Sequence, residues 1–143
     1  MHRHSSILKQ RTRGRLNVEK LTYGLIGCGR IAPNHITAAM NNADALEVVA
    51  LCDPVREHAE KILSFLPEEK RASVRMYEDY REMLRDGAPT LVSIATESGK
   101  HASIGLDCLD AGCNVIIEKP IALSMDDARA LVSKAKEKNP SVP

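Results

Sequence analysis

From Leu21 to Asn139 the chain keeps alternating between short apolar runs and longer segments with a helical period. The runs are LTYGLIG, LEVVALCD, SVRMY, TLVSIAT and CNVIIE. Between and after them come RIAPNHITAAMNNA, VREHAEKILSFL, YREMLRD, KHASIGLDCLDAG and SMDDARALVSKAKEKN, the first of which carries Ile31, Ile36, Ala39 and Met40 as its apolar residues. Strands this uniformly apolar, separated by helices, belong in a parallel sheet covered on both faces, because right-handed crossovers place the helices there. The expected fold class is therefore α/β, a doubly wound parallel sheet of five strands. The punctuation agrees: Asn41 and Asn42 close one helix, Gly87 and Gly112 close two others, and Ser124 with Asp127 three residues on has the form of an N-terminal cap.

Open sheets of this kind bind ligands at the carboxyl ends of their strands. At the first end, GLIGCGRIA, Gly27, Gly29 and Ala32 satisfy G-x-G-x-x-G/A between a strand and a helix. The first Gly permits a tight turn, the second lets the backbone approach a pyrophosphate, and the small third residue lets helix and strand pack closely. Arg30 and Ile31 complete the loop and count with it as cofactor-binding residues, since the helix N-terminus offers N–H groups to phosphates. The second strand ends in Asp53, 26 positions after Gly27. That offset is near the ~20 residues at which a carboxylate accepts hydrogen bonds from the adenosine ribose. A carboxylate repels a 2′-phosphate, so NAD is favoured over NADP, although Arg56 just beyond could accommodate that phosphate. Asp53 also reads as a helix cap in DPVRE, a role compatible with ribose binding.

YGLIGCGRIA, LCD and SIATESGKHASIGLDCLDAGCNVIIEKPIALS, in this order and spacing, resemble the nucleotide-binding half of the Gfo/Idh/MocA oxidoreductases over residues 21–138. The resemblance implies a Rossmann-type domain of an oxidoreductase that transfers a hydride between a sugar or sugar-nucleotide hydroxyl and the nicotinamide. Its most specific element is Glu118-Lys119-Pro120. In the family the Lys reaches from the strand tip toward the substrate hydroxyl, which makes Lys119 the expected catalytic residue and Glu118 and Lys119 neighbours of the cofactor. Thr96, Ser98 and His101 carry over as contacts to the nicotinamide and its ribose. Glu97 stands where the family commonly has Pro, which leaves the conformation of this loop open. The ATESGKH variant is similar to members acting on nucleotide-linked sugars, of the UDP-N-acetyl-sugar 3-dehydrogenase type.

Chemistry supports Lys119 independently. An ammonium beside the nicotinamide stabilises negative charge developing on an alkoxide-like oxygen. With an ordinary pKa of about 10.4 a Lys is a charge rather than a base, so the expected role is electrostatic and orienting. The plainer alternative is a Glu–Lys pair at a solvated strand end. The Lys119-Pro120 bond is a candidate for the cis form. His101 reads equally as a first-turn helix residue, and His35, at RIAPNH, reads as packing or solvent-facing rather than catalytic.

A chain of 143 residues suffices for one domain and not for two. No apolar run is long enough to cross a bilayer, the N-terminus lacks a signal-peptide pattern, and the cytoplasm is the default. Cys28, Cys52, Cys108 and Cys113 show no paired spacing and no adjacent His, so no metal site is expected and the thiols read as buried and reduced. Residues 1–20 hold six of the 20 basic residues and one of the 19 acidic ones, leaving 14 basic against 18 acidic, or -4, for residues 21–143. This basic leader reads as a disordered tail, and without interleaved aromatics it does not indicate nucleic-acid binding.

The remaining domain, 21–143, is expected to lack both a sixth strand and the carboxyl-terminal substrate domain that the resemblance implies for complete members, with its catalytic His and oligomer interface. The strand carrying Lys119 would then be an exposed edge. Three readings stand at this point: a cofactor domain without turnover of its own, a non-enzymatic nucleotide-binding or regulatory module, and a truncated product without function.

Overall fold

The computed structural model describes residues 8–12 and 15–139. Strands β1 (Leu8–Thr12) and β2 (Arg15–Val18) form a two-stranded antiparallel ribbon, with Leu8 opposite Val18 and Thr12 opposite Arg15. The two strands are separated in sequence by Arg13 and Gly14, the two-residue spacing that hairpins favour. The first seven residues of that leader lie outside the described residues.

The domain proper begins at β3 (Leu21–Ile26) and runs through α1 (Ala32–Asn41), β4 (Leu46–Cys52), α2 (Arg56–Leu63), α3 (Glu68–Arg71), β5 (Arg75–Tyr77) and α4 (Tyr80–Gly87). It continues through β6 (Leu91–Ile94), a 3-10 turn at Ser98–Lys100, α5 (His101–Asp110), β7 (Asn114–Ile117) and α6 (Met125–Lys138). The five strands stand in the order β5-β4-β3-β6-β7, every neighbour parallel. The doubly wound parallel sheet is thus as expected, and β7 is an edge strand with Ile116 48% exposed.

Each anticipated strand and helix is present. The four-residue α3 was not foreseen, because one turn after Pro67 is too short to show a period. Helix α1 starts at Ala32 with Pro33 in its first turn, where a missing N–H costs nothing. Gly87 ends α4 and Gly112 follows α5, both at positive φ, and the Ser124 side chain accepts from the Asp127 N–H at 3.1 Å.

The period-2 alternation of β3 sends Leu25 and Ile26 to opposite faces. Leu25 packs with Ile36, Leu51, Ala59 and Ile62, and Ile26 with Met83, Val92, Ile94 and Ile104. A Leu or Ile fully buried here contributes roughly 1.5–3 kcal/mol. The buried Tyr23 hydroxyl donates to Ser93 Oγ at 2.7 Å, tying β3 to β6 through the core. These two layers hold the ends of β3, β4 and β6 side by side, which is what builds the site.

Candidate cofactor site

The glycine loop is fixed by backbone bonds on both sides. The Gly27 N–H donates to the Cys52 carbonyl and the Ala95 N–H to the Ile26 carbonyl, each at 2.8 Å, so the three strand ends form one rim. Gly27 has φ +98°, and a Cβ there would lie 2.6 Å from the Ala95 carbonyl carbon and 2.7 Å from the Thr96 nitrogen. No side chain fits. At Gly29 the reverse holds, because a Cβ would meet nothing within 4 Å. The open space above Gly29 is what a phosphate needs to approach the backbone, so the loop fits a dinucleotide pyrophosphate.

Asp53, 8% exposed, sits beside this loop. Its Oδ2 accepts from the Cys28 N–H and its Oδ1 from the Val55 N–H, both at 2.8 Å. The capping reading does not hold, since α2 has Val55 as its N-cap and no side-chain cap. Asp53 braces the glycine loop instead and retains acceptor capacity toward the cavity. Arg56 pairs with Glu60 along α2, Nε to Oε2 at 3.4 Å, and lies outside the cavity lining. His58, which the sequence reading did not single out, does line the cavity, with Nδ1 3.3 Å from Asp53 Oδ1.

That cavity measures about 570 Å³ and is walled by Gly27, Gly29, Asp53, His58, Tyr80 and Thr96 among others. It brings Gly27, Gly29, Asp53 and Thr96 together; Arg30, Ile31, Ser98, His101, Glu118 and Lys119 lie outside its lining. Tyr80 donates to Asp107 Oδ2 at 2.6 Å while the Arg81 guanidinium lies 4.8 Å from its ring centroid. Burial, then that bond to Asp107, pushes the Tyr80 hydroxyl up to about 12, so at neutral pH it is a neutral donor.

The loop after β6 answers the question left by Glu97. Its φ of -64° is the value a proline ring would fix, and its ψ of 151° is extended backbone that a proline also adopts, so Glu97 is compatible with the path a proline would take. His101 is 1% exposed, with Nδ1 2.8 Å from the Pro120 carbonyl and Nε2 2.8 Å from the Thr96 carbonyl. Each ring nitrogen faces a backbone carbonyl, a neutral ring donating its one N–H to one of the two, and the ring packs between the Thr96 loop and the Lys119-Pro120 turn. That peptide bond is cis. Lys119 is exposed at this turn, and Glu118 reaches α1, with Oε1 3.2 Å from His35 Nε2. The first turn of α1 is therefore tied to the tip of β7, a contact between residues 83 apart that no local pattern announces.

All four cysteines are free and buried. Burial first, and the Asp53 carboxylate with it, pushes the Cys28 and Cys52 thiols up to about 12, and Cys108 is raised by its bond to Cys113 and by burial. These three are thiols rather than thiolates at neutral pH, which disfavours nucleophilic or metal-binding use. Among the described residues no cluster of His, Cys, Asp and Glu could hold a metal ion, and no helix is long and apolar enough to cross a membrane.

Fold and site together define a dinucleotide-binding Rossmann domain of the oxidoreductase kind. Residues 21–142 match the family model for the Gfo/Idh/MocA oxidoreductase family, NAD-binding Rossmann fold, and the chain belongs to that family. It is 29% identical over 119 residues to inositol 2-dehydrogenase of Salmonella paratyphi B, covering 83% of this chain and 34% of that protein. D-apiose dehydrogenase of Paraburkholderia graminis is 35% identical over 116 residues, 81% of this chain and 29% of that protein. Among solved structures, the WlbA dehydrogenase from Bordetella pertussis in complex with NADH and UDP-GlcNAcA superposes with a TM-score of 0.75 at 31% identity, covering 84% of this chain and 35% of that one. The chain thus spans about a third of the length of these relatives.

Proposed function

We propose that this chain is the NAD-binding domain of a dehydrogenase acting on a sugar or nucleotide-sugar hydroxyl, able to bind the cofactor and without turnover on its own. The observation that carries the reading is the open backbone cradle at Gly29 beside a carboxylate, Asp53, that is held in place by the same loop. Bound NAD supplies the hydride acceptor. With the Gly27 and Cys28 N–H groups bonded to Cys52 and Asp53, the N–H groups of Gly29, Arg30 and Ile31 serve the pyrophosphate, and Asp53 accepts from a ribose hydroxyl through the lone pair on Oδ2 that Cys28 leaves free. Thr96 and Ser98 flank the nicotinamide half, and His101 acts through the loop it braces. Lys119 orients the substrate hydroxyl and stabilises negative charge on its oxygen, while the bond to His35 holds Glu118 against α1.

Arg56 directed at Glu60 rather than the cavity supports NAD over NADP. The relatives' sugar and nucleotide-sugar names support the substrate class, and four reduced thiols support a cytoplasmic setting. The test has two parts. NADH added to the purified chain is expected to bind saturably, with affinity falling about tenfold or more in Asp53→Ala, the loss of one to two charge-assisted bonds. NAD+ with a panel of inositols, sugars and UDP-sugar acids is expected to give no reduction. A folded chain that ignores NADH overturns the reading, and turnover by the chain alone overturns the statement that it is inactive by itself.

A further inference from the structure

Resting on this cofactor reading, we infer that His58 is a second specificity-determining residue, one that sets the choice between NAD and NADP and makes it depend on pH. Asp53 has four lone-pair positions on its two oxygens. The Cys28 and Val55 N–H groups occupy two, and His58 Nδ1, 3.3 Å from Oδ1, contests a third, so the imidazole touches the carboxylate whose other oxygen, Oδ2, is left to accept from the ribose. The His58 side chain is 51% exposed and lines the cavity, so it shares solvent and space with whatever the ribose carries.

The charges around it leave His58 alone in this position. The cavity wall also carries Glu78, Asp79, Arg81, Glu97 and Lys100. Its two permanent cations are matched locally, Arg81 with Asp79 at 3.6 Å and Lys100 with Glu97 at 3.0 Å. On its own helix, Arg56 pairs with Glu60 outside the lining, and Glu57 and Lys61 do not line the cavity. Outside those two pairs the lining holds the carboxylates of Asp53 and Glu78 and one imidazole, so His58 is the group there that can gain positive charge. Histidine is the side chain that changes charge between pH 5 and 8. When His58 is neutral, Asp53 repels the 2′-phosphate and the ribose hydroxyl is preferred. When it is protonated, it offsets the Asp53 charge, holds Oδ1 more firmly, and offers a cation to the phosphate, so NADP gains and NAD loses.

Calorimetric titration of the chain with NAD+ and NADP+ between about pH 5.5 and 8.5 reads this directly as the ratio of the two dissociation constants. In the wild type the preference for NAD+ is expected to shrink by roughly tenfold on acidification, as expected for one charge gained a few ångströms from a phosphate. Protonation of the phosphate itself contributes to that change, so His58→Gln is the reference: it retains only the ligand's share, with a pH slope at least about threefold smaller. His58→Lys, a fixed cation at an exposed position, is expected to hold the ratio low at every pH. Equal slopes in wild type and His58→Gln overturn the inference while leaving the cofactor site intact, and so does a slope that disappears in Arg56→Gln instead. A folded chain that binds neither dinucleotide overturns both this inference and the cofactor reading.

Discussion

Gly27 and Gly29, two residues apart, separate folding from binding. A side chain at Gly27 would collide with the backbone of Ala95 and Thr96 and would have to adopt φ +98°, whereas one at Gly29 would enter open space. Gly27→Ala is expected to destabilise the fold by about 2–4 kcal/mol, combining a backbone clash with left-handed strain. Gly29→Ala is expected to stay within about 0.5 kcal/mol of wild type, as open-surface substitutions do, because its cost falls on the ligand. Urea unfolding of both variants checks the contrast; equal losses would refute the assignment of Gly29 to the cradle. The glycines and Asp53 were legible because a strand–loop–helix motif states its own geometry. His35, His58 and the bracing role of His101 were not, because each depends on a partner brought near only by folding, as Glu118 is to His35 across 83 residues.

At the level of elements, apolar runs and helical periods sufficed to place five parallel strands, since tertiary packing and local pattern agree here. The exceptions are short elements. The α3 turn and the β1-β2 ribbon carry too few residues for a period, and the ribbon is held by backbone pairing, which composition does not reveal. Among the described residues β7 pairs with β6 alone, and its Ile116 is about half exposed. Unpaired N–H and C=O groups next to an apolar side chain invite edge-to-edge association. Ile116→Lys is expected to reduce concentration-dependent self-association in sedimentation or light scattering while leaving the melting temperature nearly unchanged. Unaltered association would place the sticky surface elsewhere.

For the whole molecule, buried thiols tie stability to alkaline pH. Cys28 and Cys52 stand at about 12 against an ordinary 9.0, raised chiefly by burial. Because the folded values lie above the unfolded ones, their contribution is complete below about pH 9 and is lost as pH rises toward about 12. Unfolding free energy is expected to hold to that point and then fall, each thiol adding up to about 1.4 kcal/mol per pH unit to the slope. Cys52→Ala is expected to make the fall shallower; a slope identical to wild type would show that other groups govern it.

The most direct test of the cofactor domain itself is a titration of wild type and Gly29→Ala with NADH, following the cofactor's own fluorescence, to which a chain without Trp adds little background. The cradle at Gly29 requires saturable binding by the wild type and a loss of about tenfold or more in a Gly29→Ala chain that unfolds at the same urea concentration. Equal binding by the two chains would contradict the placement of the pyrophosphate, and no binding by a folded wild type would contradict the site altogether.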